Sequence, residues 1–289
     1  LRCPIGPLSF PTGAARISGV STLEIILPLR NPTAVIEKTV DTLAAQSDRR
    51  FTVLLSDNFS TTGAEFFSAA AERLQSAGIA VRRVRPPFEL GRVEHWNWAH
   101  HEAKADWLKP VFAGDWLELD YVARLRAAID AHPAARCIVA SYVYHRGAEH
   151  VAVISPWAGR FHSAAEMEKN VLDRGMQFGP PSAVALERAA FVAVGGYPTA
   201  LPICSDSLMF CALASRHGVL GLAEPLCHFN IHDARFSTSL PGRRRDTLRE
   251  SLTYYLMLGY RAWSARVRFS RTAFARLLLR EIRAYRAKP

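Results

Sequence analysis

Residues 23–63 read LEIILPLRNPTAVIEKTVDTLAAQSDRRFTVLLSDNFSTTG. The apolar run from Leu23 to Leu27 stops at Pro28 and predicts a buried strand. Asn31-Pro32 predicts the opening of a helix, with Asn as N-cap and Pro at the first helical position. Ile36, Val40, Leu43 and Ala44 share one face of that helix. Phe51 to Leu55 predicts a second strand, ending at Ser56-Asp57-Asn58. Strand, helix and strand in so short a span make a βαβ unit and hence a parallel pair. Phe66, Ala70 and Leu74 then mark a second helix, and Ile79 to Val84 a third strand. The first hundred residues therefore read as a Rossmann-like half of an α/β domain. Ligands of such sheets bind at the carboxyl ends of the strands, here Pro28-Leu29-Arg30-Asn31 and Ser56-Asp57-Asn58.

Further along, the pattern predicts a helix over 93–105, a strand over 107–112, the turn Ala113-Gly114-Asp115 and a helix over 119–131. A β-rich run covers 137–144, with 151–154 as its partner. Ser163 caps a helix reaching Arg174, with Glu166 at the capping-box position. Gly179 to Ser182 reads as a loop. Gly195-Gly196 ends a short helix, 206–217 forms another, and 226–231 forms a last strand. His95, His100 and His101 read as a solvated helix face, and Lys109 as a strand-end lysine. No repeat or low-complexity segment interrupts the chain.

The chain has 289 residues, 49% of them hydrophobic, which supports a full core and excludes a disordered or collagen-like polymer. No apolar stretch has the 18 or so residues of a membrane span. The first twenty residues hold three prolines around no apolar run, so they read as an irregular leader rather than a secretory signal. Five cysteines without a CxxC pair read as reduced thiols of a cytosolic protein. The net charge is +10, and residues 243–289 hold thirteen basic and three acidic side chains. The body is thus neutral and a helical tail carries the excess. That distribution suits an attached contact surface better than a nucleic-acid-binding face.

GxGxxG, GxxxxGK[ST] and GxSxG are all absent, which removes the main sequence support for nicotinamide, P-loop and serine-hydrolase chemistry. Turn positions instead carry Asp57, Asp115 and Asp206, and His232 ends the last strand. Such a set suits a sugar-nucleotide site: a metal neutralises the diphosphate leaving group and a separate carboxylate takes a proton from the attacking hydroxyl.

With these residues in place, the chain resembles glycosyltransferase family 2, inverting enzymes of the GT-A fold. The opening stretch is similar to that family's first strand, its Pro-x-x-Asn turn and its SDN-STDG segment. LGRVEHWNWAHHEAKADWLKPVFAGDWL (residues 90–117) is similar to the block that ends in the metal turn. FGPPSAVALERAAFVAVGGYPTALPICSDSLMF (178–210) and EPLCHFNIHDARFS (224–237) are similar to the later blocks, in order. The resemblance implies that Pro28, Arg30 and Asn31 line the base and ribose pocket, and that Asp57 accepts hydrogen bonds from base or ribose. It places Asn97 and Lys109 among the donor-binding residues. Asp115 becomes the metal-binding acid, His232 a second holder of metal or diphosphate, and Asp206 the catalytic base. The chain departs from the family in having Phe112-Ala113-Gly114 before a single acid, and Ser205 where Glu is common.

The resemblance thus implies an α/β GT-A domain over 22–240, with a nucleotide-sugar half to 115 and an acceptor half after it. A basic amphipathic tail follows over 241–289. The implied reaction moves a sugar from a nucleoside-diphosphate donor to a hydroxyl acceptor, a bacterial cell-surface or lipid-linked glycan, with Mg²⁺ or Mn²⁺ as cofactor. In the tail, Leu248, Leu252, Tyr255 and Trp263 recur at helical spacing, as do Val267, Phe274, Leu278, Ile282 and Tyr285. Arg276, Arg280 and Arg283 share another face. An anionic membrane on the cytoplasmic side, a second copy of the chain or the chain's own core could each cover that stripe. Two alternatives remain. One is a donor-binding protein without catalysis, suggested by the depleted metal turn. The other is a sugar-nucleotide pyrophosphorylase, against which the non-glycine turn Leu29-Arg30-Asn31-Pro32 speaks.

Overall fold

Three parallel strands build one wing of the sheet: β1 (Leu23–Leu29), β2 (Thr52–Asp57) and β3 (Ala80–Val84). The helices between them are α1 (Val35–Ala44) and α2 (Ala64–Ser76). The expected face of α1, Ile36, Val40, Leu43 and Ala44, is buried. The computed structural model describes residues 21–175, 177–231, 243–264 and 270–286. The expected leader and His232 lie outside the described residues.

Two local expectations fail for physical reasons. Pro28 does not end β1. It pairs with Ser56 of β2, while pairing to β4 (Trp107–Pro110) stops at Ile26, so no ladder partner needs the missing N–H. Asn31 does not cap α1, whose N-cap is Ala34. It adopts φ 47° and turns its side chain to the neighbouring loop.

The remaining elements are α3 (Arg92–Glu102), β5 (Trp116–Leu117), α4 (Tyr121–Ala131), β6 (Cys137–Arg146), β7 (Glu149–Val153), β8 (Phe161–His162) and α5 (Ala164–Arg174). A 3-10 turn over Pro181–Ala183 leads into β9 (Val184–Glu187), α6 (Arg188–Ala193), α7 (Ser205–His217) and β10 (Val219–Ile231). The sheet order is β3-β2-β1-β4-β9-β6-β10-β5, with β7 on β6 and β8 on β10. β9 runs antiparallel to both β4 and β6, so the sheet is mixed. The final strand begins earlier than its apolar run suggests, because bulges around Pro225 let one long strand follow β6. The Ser163–Glu166 capping box forms as expected.

Apolar layers cover both faces of this sheet. One contains Leu27, Val53 and Leu74; the other contains Leu108, Phe191 and Phe210. His95 and His100, expected on a solvated face, belong to the interior. His95 Nε2 shares a hydrogen bond with Ser56 Oγ at 2.7 Å, and His100 Nδ1 with the Trp96 carbonyl at 2.8 Å. Burial pushes each imidazole down to about 4, so both are neutral at physiological pH. The cysteines at 137, 204, 211 and 227 are free and buried.

The C-terminal segment forms α8 (Arg243–Ser264) and α9 (Arg271–Arg286). Both pack on the body. Glu250, Ser251, Tyr255 and Leu258 are buried on one face of α8, and Leu277 of α9 is buried as well. Close approach is visible at Gly175, where a Cβ would lie 2.8 Å from Tyr255 Oη and 2.9 Å from Leu277 Cδ1. Gly259 admits the ring of Phe274 in the same way. The opposite face keeps Leu256, Met257 and Tyr260 exposed. No helix among the described residues is long and apolar enough to cross a membrane.

Candidate functional site

At the carboxyl ends of β1 and β2 the register sets Leu29 beside Asp57, which brings Pro28, Arg30, Asn31 and Asp57 to one rim. Asn31 Oδ1 accepts from the Thr61 and Thr62 amides at 2.9 and 3.3 Å, and its own amide donates to Ser60 Oγ at 2.8 Å. Asp57 Oδ1 accepts from the Ser60 amide at 3.0 Å; its other oxygen lies 3.7 Å from Arg85 Nε. Arg85 in turn sits 4.2 Å over the Phe59 ring. Arg30 pairs with Glu89 at 2.6 Å, half exposed, where such a pair adds little stability and can open for a ligand. The loop 57–62 is thus fastened by side chains from both strands, leaving Arg30 and part of Asp57 accessible.

Two residues expected here are committed elsewhere. Asn97 spends its amide on one residue: Oδ1 accepts from the Tyr197 N–H and Nδ2 donates to the Tyr197 carbonyl, each at 2.8 Å. It ties α3 to the segment before α7. Lys109 is not at a strand end facing phosphate. Its side chain is 0% exposed, donates to the carbonyls of Ser182 and Val184, and lies 4.5 Å over the Tyr121 ring. Burial lowers its pKa, while the nearby Cys227 and Asp115 act to raise it.

Asp115 is likewise interior, 0% exposed. Its Oδ2 accepts from Ser182 Oγ at 2.5 Å and its Oδ1 from the Asn230 amide at 3.3 Å. Its carbonyl accepts from Thr39 Oγ1 at 2.7 Å. A divalent cation with oxygen ligands needs several accessible oxygens converging on one point. Here the one acid of the turn is enclosed by protein donors, its neighbours are Phe112, Ala113 and Gly114, and no group of three His, Cys, Asp or Glu among the described residues could hold a metal. Among the described residues, then, no ligand set for a divalent metal gathers at this turn, and His232, the other expected holder, lies outside them.

Asp206 stands in a different setting. It is the second residue of α7 and half-buried, and Oδ1 accepts from the Ser207 amide at 2.7 Å. Burial raises its pKa above the ordinary aspartate range, against the opposing pull of that amide and of Arg92. Arg92, at the start of α3, lies 4.5 Å over Trp96, donates to the Pro202 carbonyl and carries the positive charge nearest this acid in effect. Trp96 packs on Phe112 at 4.7 Å and on Tyr197 at 5.7 Å between ring centres. A wall of side chains therefore runs from the Asp115 turn to the start of α7. Beside it opens a cavity of about 540 Å³ lined by Tyr142, Val153, Ile154, Gln177, Phe178 and Ser207 among others. Sequence reading did not single out Arg92, Ser182, Tyr142 or Gln177, although Arg92, Ser182 and Tyr142 lie in stretches it marked, 90–117, 178–210 and 137–144.

Glycosyl transferase family 2 matches residues 24–195, more than half of the chain. The chain belongs to this family. No curated protein matches the sequence. Among solved structures, S. aureus TarS 1–349 in complex with UDP-GlcNAc is 14% identical with a TM-score of 0.63, over 80% of this chain and 66% of that one. The mannosyltransferase PcManGT from Pyrobaculum calidifontis, in complex with GDP-Man and Mn²⁺, is 15% identical with a TM-score of 0.56, over 93% and 70%. GalNAc-T7 with UDP, GalNAc and Mn²⁺ is 15% identical with a TM-score of 0.55, over 81% and 48%. The chain spans less than two thirds of the TarS structures it matches. At these identities the likeness establishes the fold, the mixed α/β sheet of the GT-A glycosyltransferases. The family match covers the rim at Arg30, Asn31 and Asp57, the Asp115 turn and Ser182; Asp206 lies beyond it.

Proposed function

We propose that this family 2 member is an inverting glycosyltransferase: it binds a nucleoside-diphosphate sugar at the rim formed by Arg30, Asn31 and Asp57 and moves the sugar to a hydroxyl acceptor entering through the cavity beside α7. The observation that carries the reading is Asp206, a half-buried carboxylate with a raised pKa next to the cavity-lining Ser207. A raised pKa makes a carboxylate the stronger base toward a hydroxyl proton. In the reaction its oxygen removes the acceptor hydroxyl proton, the acceptor oxygen forms a bond to the anomeric carbon, and the bond to the diphosphate breaks with its electron pair leaving on phosphate. Tyr142 and Gln177 offer a ring face and an amide suited to a saccharide. Val151 and Ile154 are exposed on the β6–β7 hairpin and suit a saccharide carried on a lipid. No step is assigned to a metal, because the described residues gather no ligand set for one at the Asp115 turn.

Incubating the full chain with UDP- and GDP-sugars and a saccharide panel tests the reading, with release of nucleoside diphosphate and the anomeric configuration of the product as readouts. Acceptor-dependent release with inversion is expected. Donor binding without acceptor-dependent release supports the second reading, a donor-binding protein, which the loss of acids at Phe112-Ala113-Gly114 favours.

A further inference from the structure

The C-terminal helices bear on the start of α7, where Asp206 sits. Helix starts leave amide donors without partners in the helix, and the N-cap of α7, Cys204, supplies no side-chain acceptor. The acceptor comes instead from α8. Glu250 is only 3% exposed, and its Oε2 accepts from the amides of both Ile203 and Cys204 at 2.9 Å. Its neighbour Ser251 lies 3.6 Å from Cys204 Sγ. From the opposite side, Arg92 of the donor half donates to the carbonyl of Pro202, one residue earlier. Three successive backbone positions, 202 to 204, are thus gripped from two parts of the molecule. Asp206 follows two residues later, on the first turn of the helix so fixed. Burial pushes the Cys204 thiol up to about 11, with Glu250 and Asp206 both adding to the rise, so the two carboxylates flank one residue.

We propose that Glu250 is a positioning residue for the transfer reaction: by accepting the Ile203 and Cys204 amides opposite the Arg92 grip on Pro202, it sets the place of Asp206 against the acceptor, so the C-terminal helices complete the catalytic site. The inference rests on Asp206 as the base. A carboxylate at a helix start is favourable electrostatically, but geometry is what the reaction needs, because misplacing a reacting group by about 1 Å can cost a factor of about 100.

The experiment is steady-state transfer by the full chain, comparing the parent with Glu250→Ala, Glu250→Gln and Asp206→Asn, with thermal melts of each. In Glu250→Ala, kcat falls about 10–100-fold while the donor KM stays within about twofold. Glu250→Gln restores most of the rate, because an amide oxygen accepts the same two N–H groups. Parental kcat in a folded Glu250→Ala, a donor KM that rises in step with the loss of rate, or no recovery in Glu250→Gln overturns the proposal. If Glu250→Ala does not fold, Glu250→Asp carries the test: its carboxylate, one methylene shorter, loses the pair of contacts, and parental kcat there overturns it. Asp206→Asn separates the two claims. Turnover near the parent in that variant removes the base assignment itself. An inactive Asp206→Asn beside a fully active Glu250→Ala removes only the role of Glu250.

Discussion

The turn at Asp115 and the start of α7 at Asp206 each present one acid where family 2 chemistry is expected, and the fold treats them in opposite ways. Asp115 is enclosed, with Ser182 Oγ on one oxygen and the Asn230 amide on the other. Asp206 is partly exposed at the start of α7, next in sequence to Ser207 of the cavity wall. The difference comes from what surrounds each acid rather than from the acid. β9 and β10 flank the first turn and bring donors onto it, with Lys109 interior beside it. The second acid follows a segment whose backbone amides are taken by Glu250, and its carboxylate meets donors of its own helix start, the Ser207 amide first. A carboxylate fully enclosed and bonded across the fold acts as scaffold; one that meets only local donors, keeps some exposure and has a raised pKa is available for chemistry.

Substitution separates the two roles. Asp206→Asn is expected to lower the transfer rate by about 10²–10⁴-fold with donor affinity retained, measured by nucleoside diphosphate release and by calorimetry. Its melting temperature should hold or rise. A buried acid with a raised folded-state pKa gives stability that is fully present below its unfolded pKa and lost as pH rises through the folded one. The amide removes that loss at neutral pH. Asp115→Ala should do the reverse and strike stability first. It removes the acceptor of the Ser182 hydroxyl and of the Asn230 amide, a loss of about 1–3 kcal/mol, visible as a lower midpoint in a urea melt. A fully stable Asp115→Ala would erase the contrast.

Acid pH sharpens it further. As base, Asp206 must be ionised, so kcat/KM should fall about tenfold per pH unit once pH drops below its raised pKa, a limb lying above the usual aspartate value of about 3.9. Stability declines over a window set by other groups. His95 and His100 titrate near 4 in the fold and near 6.5 when unfolded, so the stability they provide above pH 6.5 is lost as pH falls toward 4. Replacing His100 by Gln should flatten the melting temperature over that range while leaving the acid limb of the rate in place.

How much of this was legible depends on how far apart the partners lie in the chain. The β1–α1–β2–α2–β3 wing follows from contiguous periodic runs, and the structure has it in that order. Asn31 misleads because the local Asn-Pro rule competes with amide donors thirty residues on, at Thr61 and Thr62, and the distant donors win. His95 and His100 have polar neighbours in sequence, but their ring partners are Ser56 and Tyr197. Lys109 looks like a phosphate ligand until the turn at Ser182 folds over it. Asp206 could be marked from its block, whereas its Glu250 support could not, since one of two acids in a basic helix reads as solvated surface. Helical spacing in the tail was visible, but which face turns to the body, with Ser251, Tyr255 and Leu258, depends on α5 and α7.

The smallest expected effect tests the central contrast most directly. In a calorimetric titration of the full chain with UDP and with GDP, once in excess Mn²⁺ and once in excess EDTA, the nucleotide that binds should do so with affinities within about twofold of each other, because the Asp115 carboxylate is already satisfied by protein donors. A loss of about tenfold or more in EDTA, abolished together with Mn²⁺ dependence by Asp115→Asn, would contradict the account and return Asp115 to the metal.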